Sequence, residues 1–439
     1  MATPDYDNVV TLFHCYDCIE TTYPIVKALV IGAGGREHAL AWRLRNSASV
    51  KEVYACPGNP GIAEVASCIA GKDYVAITEQ LSPDLTVVGP EAPLVDGIVD
   101  RFRERGLAIV GPTAANAALE GSKAHSKRFM QKLGVPTARF HIADAPETAL
   151  DALAQFRYPV VLKTDGLAAG KGVIIAANRG EAEQAIATLA FPLVIEEFLE
   201  GEELSFIVLA DGKRAVPLEP SQDHKRVFDE DRGPNTGGMG AYSDSRLLDS
   251  TQRGRIMDTI IDPVVAATGY TGFLYAGLMM TEAGPSVLEF NVRMGDPETQ
   301  PLMMRLESDW GEVLLAAARG SLGVNRLTWS AEPATCVVLA SGGYPGAYET
   351  GKPITGLDRV CDAVVFHAGT KVESGRAVTA GGRVLGVTAR GADLADSISK
   401  AYAACDAIAF DGMHYRKDIG RKGLRRYNGE RNGARSSVG

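Results

Sequence analysis

Apolar positions in this chain come in short blocks, and glycine and proline separate the blocks more often than long polar runs do. Lys27-Ala-Leu-Val-Ile-Gly32 is a mostly apolar run ending in glycine, as expected of a strand buried within a parallel sheet. Gly32-Ala-Gly34-Gly35-Arg36-Glu37-His38 then opens an amphipathic helix through Arg45, with Leu40 and Leu44 one turn apart. Val53 to Cys56 predicts a second strand, closed by Pro57-Gly-Asn-Pro-Gly61. Asp84 to Glu91 and Ala108 to Pro112 predict two more, each with a Gly-Pro turn. Strands that alternate with helices and end in glycine turns predict a doubly wound α/β domain.

A different pattern begins near Glu120. Gly121-Ser122-Lys123 precedes an amphipathic helix closed by Gly134-Val135-Pro136-Thr137. The run from Tyr158 to Ala176 is a strand ending in Lys163, a Gly/Ala loop from Gly166 through Gly170 and Lys171 to Gly172, and a second strand. Such a hairpin has a tip nearly free of side chains, whose N–H groups can wrap a polyphosphate. It is no Walker loop, because no Gly-Lys-Ser/Thr opens a helix. Leu193 to Leu199 is a strand running into Glu196, Glu197 and Phe198, with Glu203 just beyond. Strand-end backbone there can read an adenine edge, and an acid can hold ribose hydroxyls. Ser286 to Arg293 places Glu289, Asn291 and Arg293 at alternate positions, so period-two geometry puts them on one face and Leu288, Phe290 and Val292 on the other. A carboxylate beside an amide oxygen suits a hard cation such as Mg²⁺, and Arg293 suits a carboxylate or phosphate.

After a linker near 325–333 the blocks become short strands with glycine turns: Thr335 to Ser341, Ala363 to His367 and Arg383 to Thr388. A helix follows from Leu394 to Ala407. These predict an α+β module packed on the core with no catalytic set of its own; His367 and His414 read as structural. The basic stretch from Arg416 to Arg435 reads as a solvated tail.

Composition narrows the function. The 439 residues suffice for about three domains at roughly 150 residues each. With 45 basic and 54 acidic residues the net charge is −9, which argues against a nucleic-acid binder. No apolar run approaches the ~18 residues of a membrane span. Seven scattered cysteines make no disulfide framework. The first 26 residues lack the pattern of a secretory signal and read as a loosely ordered leader. Its Cys15-Tyr16-Asp17-Cys18 has no second pair to complete a zinc site. Together these features predict a soluble, cytoplasmic, multidomain globular protein. A nicotinamide site is disfavoured, since Glu37 replaces the third glycine of GxGxxG and Cys56-Pro57 ends the second strand where an acid is needed. The Gly34-Gly35 turn with Arg36 still suits a substrate phosphate at a helix N-terminus.

Glu289-x-Asn291-x-Arg293 after a Lys/Gly hairpin and a Glu-Glu-Phe-Leu strand resembles the ATP-grasp ligases. Long strings resemble, within them, the phosphoribosylamine–glycine ligase family: Gly34 to His38, Gly89 to Leu94, Lys163 to Gly172, Gln222 to Arg226, Gly233 to Tyr242 and Arg293 to Pro301. The resemblance runs from Lys27 to about Lys422. It implies a Rossmann-like N-terminal domain (27–122), an ATP-grasp core (123–325) with a small lid near 140–205, a C-terminal α+β domain (333–425) and a basic tail (426–439).

It also implies an activity: ATP-dependent joining of glycine to 5-phosphoribosylamine through glycyl phosphate, by a monomer with no nucleic-acid or membrane partner. Lys123, Lys163, Gly166, Gly170, Lys171 and Gly172 would bind the phosphates of ATP, the co-substrate, and Glu196, Glu197, Phe198 and Glu203 the nucleoside. Glu289 and Asn291 would hold Mg²⁺ or Mn²⁺. Gly34, Gly35 and Arg36 would take the substrate phosphate, and Arg293, Asp223, Lys225 and Arg226 would act on the acyl phosphate and substrates. The residues alone also fit an ATP-grasp ligase with another carboxylate and amine, or a nucleotide-binding relative without turnover. Two segments are shorter than the family pattern. The one at 77–84 lacks roughly ten residues, which predicts no full crossover helix there. The one at 189–193 leaves Ala190-Phe191-Pro192 where the family has a loop near the nucleotide, so closure over ATP is expected to be looser.

Overall fold

The first apolar run becomes the strand Val26–Gly32, central in a parallel sheet, in a computed structural model that describes residues 26–167, 172–324 and 326–429. The sheet order is Ser67–Cys68, Val50–Pro57, Val26–Gly32, Leu85–Val88, Ile109–Val110. The central strand feeds two cores: Leu29 and Ile31 pack in one, Ala28 and Val30 in the other. The shortened segment still carries a helix, Tyr74–Leu81, started by Asp73 accepting the Ala76 N–H. This corrects the expectation of no crossover. The strand before it ends at Cys68, which leaves enough chain to climb back over the sheet.

Two helices, Ala114–Gly121 and Lys123–Leu133, lead into the lid. Its antiparallel sheet runs Phe140–Ala143, Leu193–Glu197, Val160–Thr164, Val173–Ala176, with a separate apolar core around Leu153, Leu162 and Ile195. The short 189–192 link leaves this sheet complete, and the Asp165 N–H donates to the Pro192 carbonyl at 3.0 Å.

The core sheet is antiparallel. From its edge it runs Gly284–Asn291, Thr271–Thr281, Glu202–Asp211, Ser221–Asp223 and Gly240–Ser243. It does not stop there. Gly240–Ser243 pairs with Ala334–Ala340, followed by Arg383–Arg390 and Val364–His367, so one sheet passes into the C-terminal region. The C-terminal part is thus an extension of the core rather than a module resting on it. The expected helix Leu394–Ala407 covers this end.

The basic stretch is corrected as well. Arg416 is fully buried against Asp231 and Asp418, and Arg421–Tyr427 is a packed helix. Local composition showed the cations of this segment, whereas the acids that bury them lie elsewhere in the chain. The leader with its two cysteines, and residues 430–439 of the tail, lie outside the described residues. His367 does pack structurally: its N–H donates to His38 Nδ1 at 2.8 Å, and burial lowers the two imidazoles to about 4 and about 3.

Candidate active site

A cleft of about 2580 Å³ lies between the lid, the core sheet and the carboxyl end of the parallel sheet. Arg36, Lys123, Lys163, Gly166, Gly172, Glu196, Glu197, Phe198, Glu203, Asp223, Lys225, Arg226, Glu289, Asn291 and Arg293 all face it. Gly170 and Lys171 lie outside the described residues.

One end is rich in lysine. Ser122 caps the helix Lys123–Leu133, and Asp165 of the lid ties down the same helix end by accepting from Ser122 Oγ and the Ala124 N–H. This places Lys123 Nζ 2.7 Å from the Gly166 carbonyl. One turn on, Lys127 Nζ meets Glu196 Oε2 at 3.1 Å, and Lys163 Nζ meets the same oxygen at 3.1 Å. Burial lowers the Lys127 ammonium to about 8. Glu196 is therefore a bridge between two lysines, and its Oε1 is buried without a hydrogen-bond partner. Glu197 accepts the Arg139 N–H at 2.8 Å. Beside them Ile175 and Phe198 are exposed apolar side chains that face the cleft.

The strand Gly284–Asn291 carries Glu289 and Asn291 into the cleft. A register shift corrects part of the expected alternation. Gly277 pairs with Glu289 but Leu278 with Val287, so Leu288 is bulged out. Val287, Phe290 and Val292 pack in the core, while Leu288 faces the cleft and gives its carbonyl to Lys163 Nζ at 3.2 Å. Among the described residues no side chain hydrogen-bonds or ion-pairs with Glu289. Burial pushes its carboxyl up, but Lys225, Lys163, Lys123 and Arg293 outweigh that and hold it below the ordinary range. No three His, Cys, Asp or Glu side chains gather as a metal site among the described residues. An unbonded carboxylate beside an amide oxygen fits a cation that takes few protein ligands and keeps waters, as Mg²⁺ does.

The rest of the cleft holds a network of ions. Arg293 pairs with Glu120 at 2.7 Å and Glu91 at 3.3 Å, and donates to Asn291 Oδ1 at 3.1 Å. Burial opposes its charge, but Glu120 and Glu91 hold it above the ordinary range. Lys225 pairs with Glu203 at 3.2 Å, which raises the lysine. Burial, then Glu298, pushes the Asp223 carboxyl well up. Glu298 accepts from Tyr275 Oη at 2.6 Å and Ser205 Oγ at 3.0 Å. Arg383, from the C-terminal region, pairs with Asp296 at 2.9 Å and donates to the Gly237 carbonyl at 2.6 Å.

The glycine turn of the parallel sheet is filled by the chain itself. Glu37 accepts the Gly34 N–H and pairs with Arg36 at 2.6 Å. A Cβ at Gly89 would meet Glu37 Oε1 at 2.0 Å, so the glycine is needed for this carboxylate to enter. Gly34 and Gly35 do not line the cleft, whereas Arg36 does.

Lys127, Glu298 and Arg383 were not singled out from sequence. Lys127 had a signal, since it follows Lys123 by one turn on an amphipathic helix. Glu298 lies in a string noted for its resemblance. Arg383 had none, because its role arises only when a distant strand joins the core sheet.

Comparison with known proteins places these features in context. Family models described as the N, ATP-grasp (A) and C domains of phosphoribosylglycinamide synthetase match residues 26–120, 121–299 and 334–422. The chain is 48% identical over 428 residues to the phosphoribosylamine–glycine ligase of Pseudomonas aeruginosa, which covers 92% of this chain and 100% of that one. It is 49% identical over 426 residues to the Escherichia coli K12 protein of the same name, covering 91% and 99%. The solved phosphoribosylamine–glycine ligase of Thermotoga maritima matches with a TM-score of 0.80 at 34% identity, covering 90% of this chain and 100% of that one. A Campylobacter jejuni biotin carboxylase matches with a TM-score of 0.68 at 17% identity, covering 90% and 94%, a likeness of fold alone.

Proposed function

The chain belongs to the phosphoribosylamine–glycine ligase family, and from that premise we propose how its residues divide the reaction among them. The enzyme joins glycine to 5-phosphoribosylamine with ATP, a carbon–nitrogen ligation of purine biosynthesis. In our reading a glycine carboxylate oxygen attacks the γ-phosphorus, the bond to the β-phosphate oxygen breaks, and ADP leaves. The amine nitrogen then attacks the acyl carbon of glycyl phosphate, phosphate leaves, and the nitrogen loses a proton.

Phosphoryl transfer needs positioning and charge neutralisation more than covalent help. Lys123 and Lys163 meet the ATP phosphates, and Gly166 and Gly172 flank them; Gly170 and Lys171 belong to the same loop. Ile175 and Phe198 offer apolar faces to the base. Glu203 and Glu197 are placed for the ribose, while Glu196 acts by holding Lys127 and Lys163. Glu289 and Asn291 would hold the divalent cation, which we take as Mg²⁺ or Mn²⁺ and which would neutralise phosphate charge. Arg293, Asp223, Lys225 and Arg226 serve the acyl phosphate and the two remaining substrates. Arg36 takes the substrate phosphate from the edge of the Gly34-Gly35 turn. No helix among the described residues is long and apolar enough to cross a membrane, and we take the enzyme as a cytoplasmic monomer.

The observation that carries this division is the bare Glu289 carboxylate, held charged by four cations that do not bond it. The direct test is ADP release with glycine and phosphoribosylamine each supplied or withheld. Rapid release only with both is expected. Equal release with other carboxylates in place of glycine would overturn the substrate assignment.

A further inference from the structure

One wall of the cleft is a hairpin of two short strands, Arg226–Phe228 and Arg232–Asn235. Its tip has a backbone that ordinary side chains avoid. Five non-glycine residues among the described residues have left-handed φ, and Glu230 (58°) and Asp231 (53°) are the two that are adjacent. Such conformations persist where the surroundings over-determine them, and they cluster where function needs a fixed geometry.

The surroundings here are a single distant stretch, residues 414–422, packed beside the hairpin, of which Asp418 and Lys422 also line the cleft. Arg416 forks onto Asp418 at 2.7 and 2.8 Å, and donates to the Arg226 carbonyl and to Asp231 Oδ1, both at 3.0 Å. Asp418 accepts the Glu230 N–H at 2.9 Å. The Lys417 N–H donates to Asp229 Oδ1 at 2.7 Å, and His414 Nε2 meets the Val227 carbonyl at 2.9 Å. Lys422 closes the set on Asp231 Oδ2 at 2.6 Å. Every residue from Arg226 to Asp231, Phe228 excepted, is thus bonded to this stretch. Arg226, Glu230, Asp231 and Arg232 of the hairpin all line the cleft.

We propose that residues 414–422 are a positioning strap: bonded along the hairpin, they hold Arg226 and Arg232 toward the sugar-phosphate substrate, so that the C-terminal region sets its affinity. Arg416 is the positioning residue at the centre: it bonds residues of the cleft wall but does not itself line the cleft. Lys123 and Lys163, which we assign to the ATP phosphates, bond neither the hairpin nor the strap, so the strap is expected to act mainly on one substrate. The choice of substrate rests on the function proposed above.

Arg416→Gln tests it, with Arg416→Lys as the conservative variant. Asp229→Ala is a milder one, since Asp229 is outside the cleft and its loss removes only the Lys417 contact. Arg416→Gln is expected to raise KM for phosphoribosylamine at least tenfold, with kcat and KM for ATP within twofold. Arg416→Lys should recover part of the loss, and Asp229→Ala should show about a threefold rise. Amide exchange should quicken at 226–235 in Arg416→Gln and Asp229→Ala and stay unchanged in the strand Ala334–Ala340. Unchanged KM, or equal losses for every substrate together with a lower thermal midpoint, would overturn the strap. If the wild-type enzyme made no use of phosphoribosylamine, the functional reading would fail instead. Exchange would then decide: quickening confined to 226–235 keeps the strap, and unaltered exchange removes it.

Discussion

The lid and the core sheet each send one carboxylate from a strand end into the same cleft, and the fold treats the two in opposite ways. Glu196 of the lid is 1% exposed and shares one oxygen between Lys127 and Lys163. Glu289 of the core sheet has four cations around it and no bond to any of them. The helix Lys123–Leu133 causes the difference, for it crosses the lid strand and delivers Lys127 to Glu196. A carboxylate bonded to two buried ammonium groups serves the fold, and removing it leaves charges stranded. One neutralised at a distance stays ionised and free to bind a cation. Proximity to lysine thus does not identify a functional acid; a carboxylate that both lysines leave unbonded does.

The sharpest way to break this comparison is Glu289→Gln. It should lower kcat by about a thousandfold, roughly 4 kcal/mol of lost transition-state stabilisation. The unfolding midpoint should hardly move, because no bond is lost. Steady-state turnover with Mg²⁺ in excess, set beside a thermal melt, measures both. Near-normal turnover would mean that Glu289 is no more engaged in catalysis than Glu196.

Much of this site could be read from the chain, and the limits have physical causes. Lys163, Glu289 and Asn291 stood out because strand periodicity and strand ends are local properties. Leu288 was misplaced because a bulge depends on the partner strand, and period two then fails by one residue. The Glu196 bridge was not legible, because its partner Lys127 lies far off in sequence. The Gly34-Gly35 turn invited a phosphate, yet Glu37, three residues on, already accepts the Gly34 N–H. The continuous sheet through Gly240–Ser243 and Ala334–Ala340 joins strands from opposite sides of the linker, and no local pattern announces it.

Glu196→Gln sharpens the contrast from the other side. With the shared charge gone, Lys127 and Lys163 face each other near a neutral amide, and stability should fall by about 3 kcal/mol. Urea unfolding measures this, and faster amide exchange in the strand Leu193–Glu197 should accompany it. A loss as small as that of Glu289→Gln would erase the distinction between the two acids.

Lys163→Met separates the lysine's two duties. Glu196 keeps Lys127, so the lid should remain folded, while ATP loses a charged partner worth roughly 2 kcal/mol, about thirtyfold in affinity. Affinity for glycine should change little. Titrating both ligands into the variant decides it: a larger effect on glycine would move Lys163 out of the phosphate end.

The last test is a pH dependence, and it asks whether the Glu196 bridge truly sits in a dry place. Burial lowers Lys127 from its ordinary 10.5 to about 8 despite its carboxylate partner. Below about 8 both the folded and unfolded chains carry this proton, and the folded state bears the full cost of burying the charge. Between about 8 and 10.5 the unfolded chain still binds the proton and the folded chain has released it. Stability from this group therefore rises with pH across that window, with a slope approaching about 1.4 kcal/mol per pH unit. Other groups titrate in the same range, so the quantity to follow is the difference between wild type and Lys127→Met. Measured by urea unfolding from pH 7 to 10, that difference should be flat at first and then grow in favour of the wild type. A difference that stays flat, or shrinks as the pH rises, would show that water reaches Lys127, and Glu196 would then resemble Glu289 more closely than the geometry says.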